Sequence, residues 1–161
     1  MAATLPILAA VRDHLASKLA GYSVELFPDQ PAQYRFMHPK GAVLVGYQGS
    51  RFGKIEDIGR IAQQRDLTLH LTVFGRGVHH DGAALDLLDA LRLAIVGYRP
   101  PDCLPCHLTS EQFLAEDGGA WQYQLLVQTE TQQIEQYTPP AAPKLTAVYL
   151  RQQGSLKTPN P

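Results

Sequence analysis
LTLHLTVFGR, residues 67–76, decides the fold. Leu67, Leu69, Leu71 and Val73 fall on one side of an extended chain. Asp66, Thr68, His70, Thr72 and Phe74 fall on the other. Successive side chains of a strand point to opposite faces, so this period of two predicts a long β-strand with one buried face. The pattern extends back to Ala62. His70, opposite the apolar row, is expected to be solvated or at an interface. Gly75 and Gly77 are expected to turn the chain out of the strand.

A helix is predicted next, over residues 83–96. Its apolar positions are Leu85, Leu88, Ala90, Leu91, Leu93, Ile95 and Val96, a stripe wide enough to cover a sheet. Asp81 is placed to cap its start, because a carboxylate accepts the unpaired N–H groups there. Gly97 and then Pro100-Pro101 stop it. Upstream, Leu8, Val11, Leu15 and Leu19 mark a first helix over residues 5–20, with Pro6 in its first turn and Gly21 after its end. Residues 22–27 read as a short strand ended by Pro28. Residues 42–49 (AVLVGYQG) read as a central apolar strand. Residues 29–40, with Pro31 and Pro39, read as a loop. Residues 50–59, broken by glycine, read as a second, exposed loop.

Residues 108–116 and 120–131 flank Asp117-Gly118-Gly119, a β-hairpin signal. Trp121, Tyr123, Leu125 and Val127 alternate with polar residues in its second arm. The order is thus α-β-β-β-α-β-β. It predicts an α+β fold, a mostly antiparallel sheet with two helices packed on one face. Residues 1–137 form the domain. Residues 138–161 are proline-rich and read as an extended arm, with a docking strand at residues 145–150.

The chain has 161 residues and a mass of 17.7 kDa, enough for one domain with a substantial core. Its formal net charge of −1 supplies no field that would hold it on nucleic acid. Membrane spanning takes roughly 18–20 consecutive apolar residues, and no such run occurs. The N-terminus lacks the basic region of a secretory signal, so synthesis in the cytoplasm is expected.

Several motifs carry possible chemistry. Cys103-Leu104-Pro105-Cys106-His107 is CxxCH, the attachment pattern of c-type haem. Here it follows a helix within a proline-punctuated link. A thioredoxin-like pair would open a helix, which lowers the thiol pKa. A zinc site would need further ligands such as His79 or His80, at a spacing no common finger has. The cysteines are therefore expected to be ordinary half-buried side chains. His79-His80-Asp81 reads as a polar turn, since adjacent side chains diverge. Residues 46–53 are glycine-rich but lack the order of a phosphate-binding loop. Glu111, Glu116 and Asp117 are expected to be solvated. Arg51, Lys54, Arg60 and Arg65 form a basic stretch, read as a solvated face or protein interface. No catalytic group, cofactor or metal is expected.

Three segments carry a family resemblance: QQRDLTLHLTVFGR, HHDGAALDLLDALRLAIVGYRPPDC and LTSEQFLAEDGGAWQYQLLVQTET. In order and spacing they resemble the tail terminators of Mu-like contractile-tailed phages and related tailocins, over residues 5–136. The resemblance implies an α+β subunit of a hexameric ring at the head-proximal end of a virion tail, assembled in the bacterial cytoplasm. Such a ring caps the tail tube and sheath, ends their polymerisation and offers a surface to the head-completion proteins. DNA passes through its lumen without specific binding. Partners are then other copies of the chain, tube and sheath proteins, and neck proteins, with no membrane. Contact residues are expected in the loops: Arg51, Phe52 and Lys54; Arg76 and His79; Asp117 at the hairpin tip; and Tyr149 in the arm. A different head–tail joining adaptor, or a small CxxCH redox or haem protein, are the alternative functions.

Overall fold
The computed structural model describes residues 3–56 and 59–136. The elements run α1 (Thr4–Lys18), β1 (Ser23–Leu26), a short 3-10 turn (Pro31–Gln33), β2 (Gly41–Ile55), β3 (Ala62–Arg76), α2 (Ala84–Ile95), β4 (His107–Asp117) and β5 (Ala120–Ile134). The five strands form one sheet in the order β1-β2-β3-β5-β4. β1 pairs parallel with β2, and every other pairing is antiparallel. The fold is α+β, with both helices on one face. The expected arm, with its docking strand and Tyr149, lies outside the described residues.

The period-two pattern of β3 sets the core. Leu67, Leu69, Leu71 and Val73 are fully buried, together with Val43 and Val45 of β2 and Leu125 and Val127 of β5. Ile7, Val11 and Leu15 of α1 and Leu87, Leu88, Leu91 and Ile95 of α2 close over them. Burying such a side chain is worth about 1.5–3 kcal/mol, so this layer supplies the main driving force. Tyr98 joins the two helices. It stacks on His14 at 3.9 Å, and its hydroxyl donates to the Ala10 carbonyl.

Several expectations are corrected. Residues 50–55 are not a loop; β2 continues through them, with a register shift at Gly49. The glycines there serve a strand whose partner needs room. Gly53 lies against Gln64, where an added Cβ would sit 3.3 Å from that residue's Cβ. Gly75 likewise belongs to β3, and Gly77 (φ +80°) makes the turn. Asp81 does not cap α2. Ala83 occupies that position, and Asp86 instead accepts the Gly82 N–H at 2.8 Å. Within α2, Leu93, Leu85 and Val96 face outward, Leu93 at 86% exposure, while Leu87 takes a core position.

The second face of the sheet is not simply solvated. The segment after β1 folds across it. Tyr34 and Phe36 pack on Phe74, and Phe27 meets the edge of His70 at 4.8 Å. His70 is thus half-buried, and burial pushes its imidazole pKa below the ordinary value. Arg65 is also moved from an exposed basic stretch to the interior, at 7% exposure. It donates to Ser50 Oγ (2.9 Å), Thr4 Oγ1 (2.7 Å) and the Tyr47 hydroxyl (3.2 Å), tying the start of α1 to β2.

Candidate assembly surfaces
The expected contact residues fall into two groups at opposite ends of the sheet. Arg51 pairs in register with Asp66 and Phe52 with Arg65, near one end of β3; Arg76 closes the other end. From Arg65 to Arg76 the strand advances about 36 Å, at about 3.3 Å per residue. The sequence placed these residues in loops, with no statement of how the loops lie in space. The antiparallel hairpins distribute those residues over two separate surfaces.

At the first end, Arg51, Phe52 and Lys54 are exposed on β2. Phe52 and Ile55 are more than half exposed, and Ile61 lies exposed across the turn. Asp66 faces Arg51 on one side and Glu130 on the other, so two carboxylates share that row with one guanidinium. Tyr47 sits beside Ser50 and Arg65. Burial raises its pKa, but the hydrogen bonds from both neighbours and the Arg65 charge outweigh this and hold the phenol below its ordinary value.

At the second end, the β3–α2 turn meets the β4–β5 hairpin tip, where the Gly77 N–H donates to the Gly119 carbonyl at 3.0 Å. Arg76 is a staple rather than a free contact group. Its guanidinium donates to the Phe36 and His38 carbonyls and lies 4.3 Å over the Phe36 ring. His79 and Asp117 are exposed. A cleft of about 610 Å³ opens here, walled by Tyr34, Phe36, Phe74, Arg76, Asp117 and Gln122.

The cysteine motif is built differently from a haem or redox site. Cys103 and Cys106 turn into the core, whereas His107 is exposed and starts β4. Burial pushes Cys103 up, against opposing hydrogen bonds with Thr129 and Thr131. Burial and then the neighbouring Cys103 push Cys106 up to about 12. Burial thus disfavours the reactive thiolate form of both. Among the described residues, no three His, Cys, Asp or Glu side chains converge on a metal position. No described helix is long and apolar enough to cross a membrane.

Sequence reasoning missed the exposure of β4. Its residues face solvent along nearly the whole strand, including Phe113 and Leu114. The mixed polar run HLTSEQFLAED, lacking a continuous apolar face, was the available signal. Glu111 is not simply solvated. It pairs with Arg92 of α2 at 2.6 Å, and Arg92 also meets Asp89.

The Gp37 protein family matches residues 11–151. The chain belongs to the Gp37 family. This is a phage-related family, and its match covers the sheet, α2 and both exposed ends. The Gp37 match also continues past Tyr137, through the first part of the proline-rich segment. No curated protein matches the chain.

Proposed function
We propose that this Gp37-family chain is a tail terminator, a non-catalytic subunit of a hexameric ring that caps the tail tube and sheath of a contractile-tailed phage particle. One surface meets tube and sheath and ends their growth. The other receives the head-completion proteins, and DNA passes through the lumen. The observation that carries this reading is the placement of two exposed surfaces at opposite ends of one sheet, about 36 Å apart by strand geometry. A part that must bind a tail below and a head above needs two such surfaces on a rigid body. The membership in a phage-related family supports the same setting. The near-neutral charge suits a lumen through which DNA must slide, since a strongly basic wall would grip phosphates.

The test is electron microscopy of particles assembled without this chain. Tails of irregular length that fail to join heads are expected. Tails of uniform, normal length would refute the terminator role, and uniform tails lacking heads would assign the chain to head joining alone.

A further inference from the structure
A five-stranded open sheet has two edges, and among the described residues both are left partly bare. β1 covers only residues 42–45 of β2, so no described strand lies on the outer side of residues 46–55. β4 is the other edge, and no described strand pairs with its outer side from His107 to Asp117. Unpaired strand edges are templates for pairing, and proteins that must stay monomeric usually blunt them. Here the two bare edges are of nearly equal length and opposite charge. Residues 46–55 (GYQGSRFGKI) hold Arg51 and Lys54 and no acidic residue. β4 (HLTSEQFLAED) holds Glu116, Asp117 and Glu111, the last also paired with Arg92 of α2, and no Lys or Arg. Each edge also exposes large apolar side chains, Phe52 and Ile55 on one and Phe113 and Leu114 on the other.

We propose that copies of this chain join edge to edge, the outer side of β4 in one copy pairing with residues 46–55 of β2 in the next. This joint deepens the terminator reading, since it is the subunit contact of the proposed ring; it takes up Arg51, Phe52 and Lys54 and leaves exposed Arg60 and Ile61, just before β3, for the axial surface. The two patches are different and complementary, the head-to-tail kind of contact that generates rings when the rotation closes. Within one copy β2 and β4 run antiparallel, because three antiparallel pairings separate them. Copies in a common orientation therefore present an antiparallel pair at the joint.

The geometry also permits closure. His107 is level with Gly49 through Gln128 and Thr68, and Asp117 lies beyond Gly41 through Ala120 and Arg76. The centre of β4 is thus offset from the centre of residues 46–55 by about six residues, or about 20 Å along the strands. The sheet is about 24 Å wide, at about 4.8 Å per strand. A ring has no net translation around its circuit, so this offset requires strands tilted by about 40° from the ring axis. That value falls in the range of about 35–45° found in closed sheets.

The test uses two full-length variants, Arg51→Glu with Lys54→Glu, and Glu111→Lys with Glu116→Lys. In the second, Arg92 keeps its contact with Asp89. Each variant alone has like charges on both edges. Mixed one to one, every joint again opposes acid to base, and a ring of even number closes with the two variants alternating. By light scattering, wild type should approach six chains of 17.7 kDa, about 106 kDa, at rising concentration. Each variant alone should fall sixfold to the monomer mass, and the mixture should return to the wild-type mass. Hydrogen exchange should show the outward-facing amides of β4 and of residues 46–55 in wild type protected only in the assembled form. The joint is refuted if both variants alone keep the wild-type mass, or if mixed variants with normal melting curves stay monomeric. It is equally refuted if wild type stays monomeric throughout, or if both edges exchange at the monomer's rate within the ring. These outcomes are separate from tail length in particles lacking the chain, so the joint can fail while the terminator role stands.

Discussion
His70 shows how far alternation reaches and where it stops. The period that places Leu67, Leu69, Leu71 and Val73 in the core is a local property of an extended chain. The same period puts His70 on the opposite face, which is correct, but whether that face is wet depends on distant residues. Phe27 covers the ring, and Gly46 leaves the space beneath it that a Cβ would fill. The buried Nδ1 has no hydrogen-bond partner. Burial therefore favours the neutral ring and lowers its folded pKa below 6.5. As pH falls, the unfolded chain takes up this proton first. The contribution is present above pH 6.5 and is lost as pH drops through 6.5 toward the folded value. We expect the melting temperature to fall between pH 7.5 and pH 5, and to fall less in His70→Leu. Parallel pH slopes in the two proteins, measured by calorimetry, would show that His70 does not titrate on unfolding. Arg65 escaped the sequence for the same reason. Its burial is created by Thr4, far away in the chain, together with Ser50 and Tyr47 across the sheet.

At the level of elements, glycine was the main source of misreading. Residues 50–55 looked like a loop because glycines punctuate them, yet they are strand. A glycine frees the backbone but also admits a close neighbour, and a sequence alone does not say which use applies. Gly75 is the sharper case. A Cβ added there would lie 2.6 Å from Ala84 Cα and 2.7 Å from its backbone nitrogen. The obstacle is the first turn of α2, which has no side-chain cap to reorganise around. We expect Gly75→Ala to cost about 1–3 kcal/mol, the usual range for overpacking. In urea unfolding the midpoint should drop at constant slope; an unchanged midpoint would mean that α2 shifts without penalty. The helices themselves were legible because their apolar spacing is strong and their stops are chemical, with Gly97 and Pro100-Pro101 ending α2. The outward turn of Leu93 was not, since a stripe of apolar residues wider than the available sheet must leave some members outside. The candidate surfaces were legible only as loops. Their separation appears when the strand register is known.

For the whole molecule, the charge distribution matters more than the total. Residues after Tyr137 carry Lys144, Arg151 and Lys157 and no acidic side chain. The rest of the chain holds the other eleven basic residues and all fifteen acidic ones. The domain therefore repels phosphate overall, whereas the C-terminal segment attracts it. Three cations release few counterions, so any DNA affinity should be weak and should vanish with modest salt. We expect no binding to a short labelled duplex below about 100 µM at about 0.15 M salt, where ordinary non-specific binders reach about 1–100 µM. At low salt, residual binding should disappear when residues 138–161 are deleted. That deletion should leave melting cooperative, because the core cluster of the described residues runs only from Ile7 to Val127. Fluorescence anisotropy over a salt series measures this directly. A steep salt slope with micromolar affinity would indicate a surface that grips DNA, contrary to a lumen that lets it pass. Retention of that affinity after the deletion would place the grip on the domain itself, where the basic edge of β2 would be the first place to look.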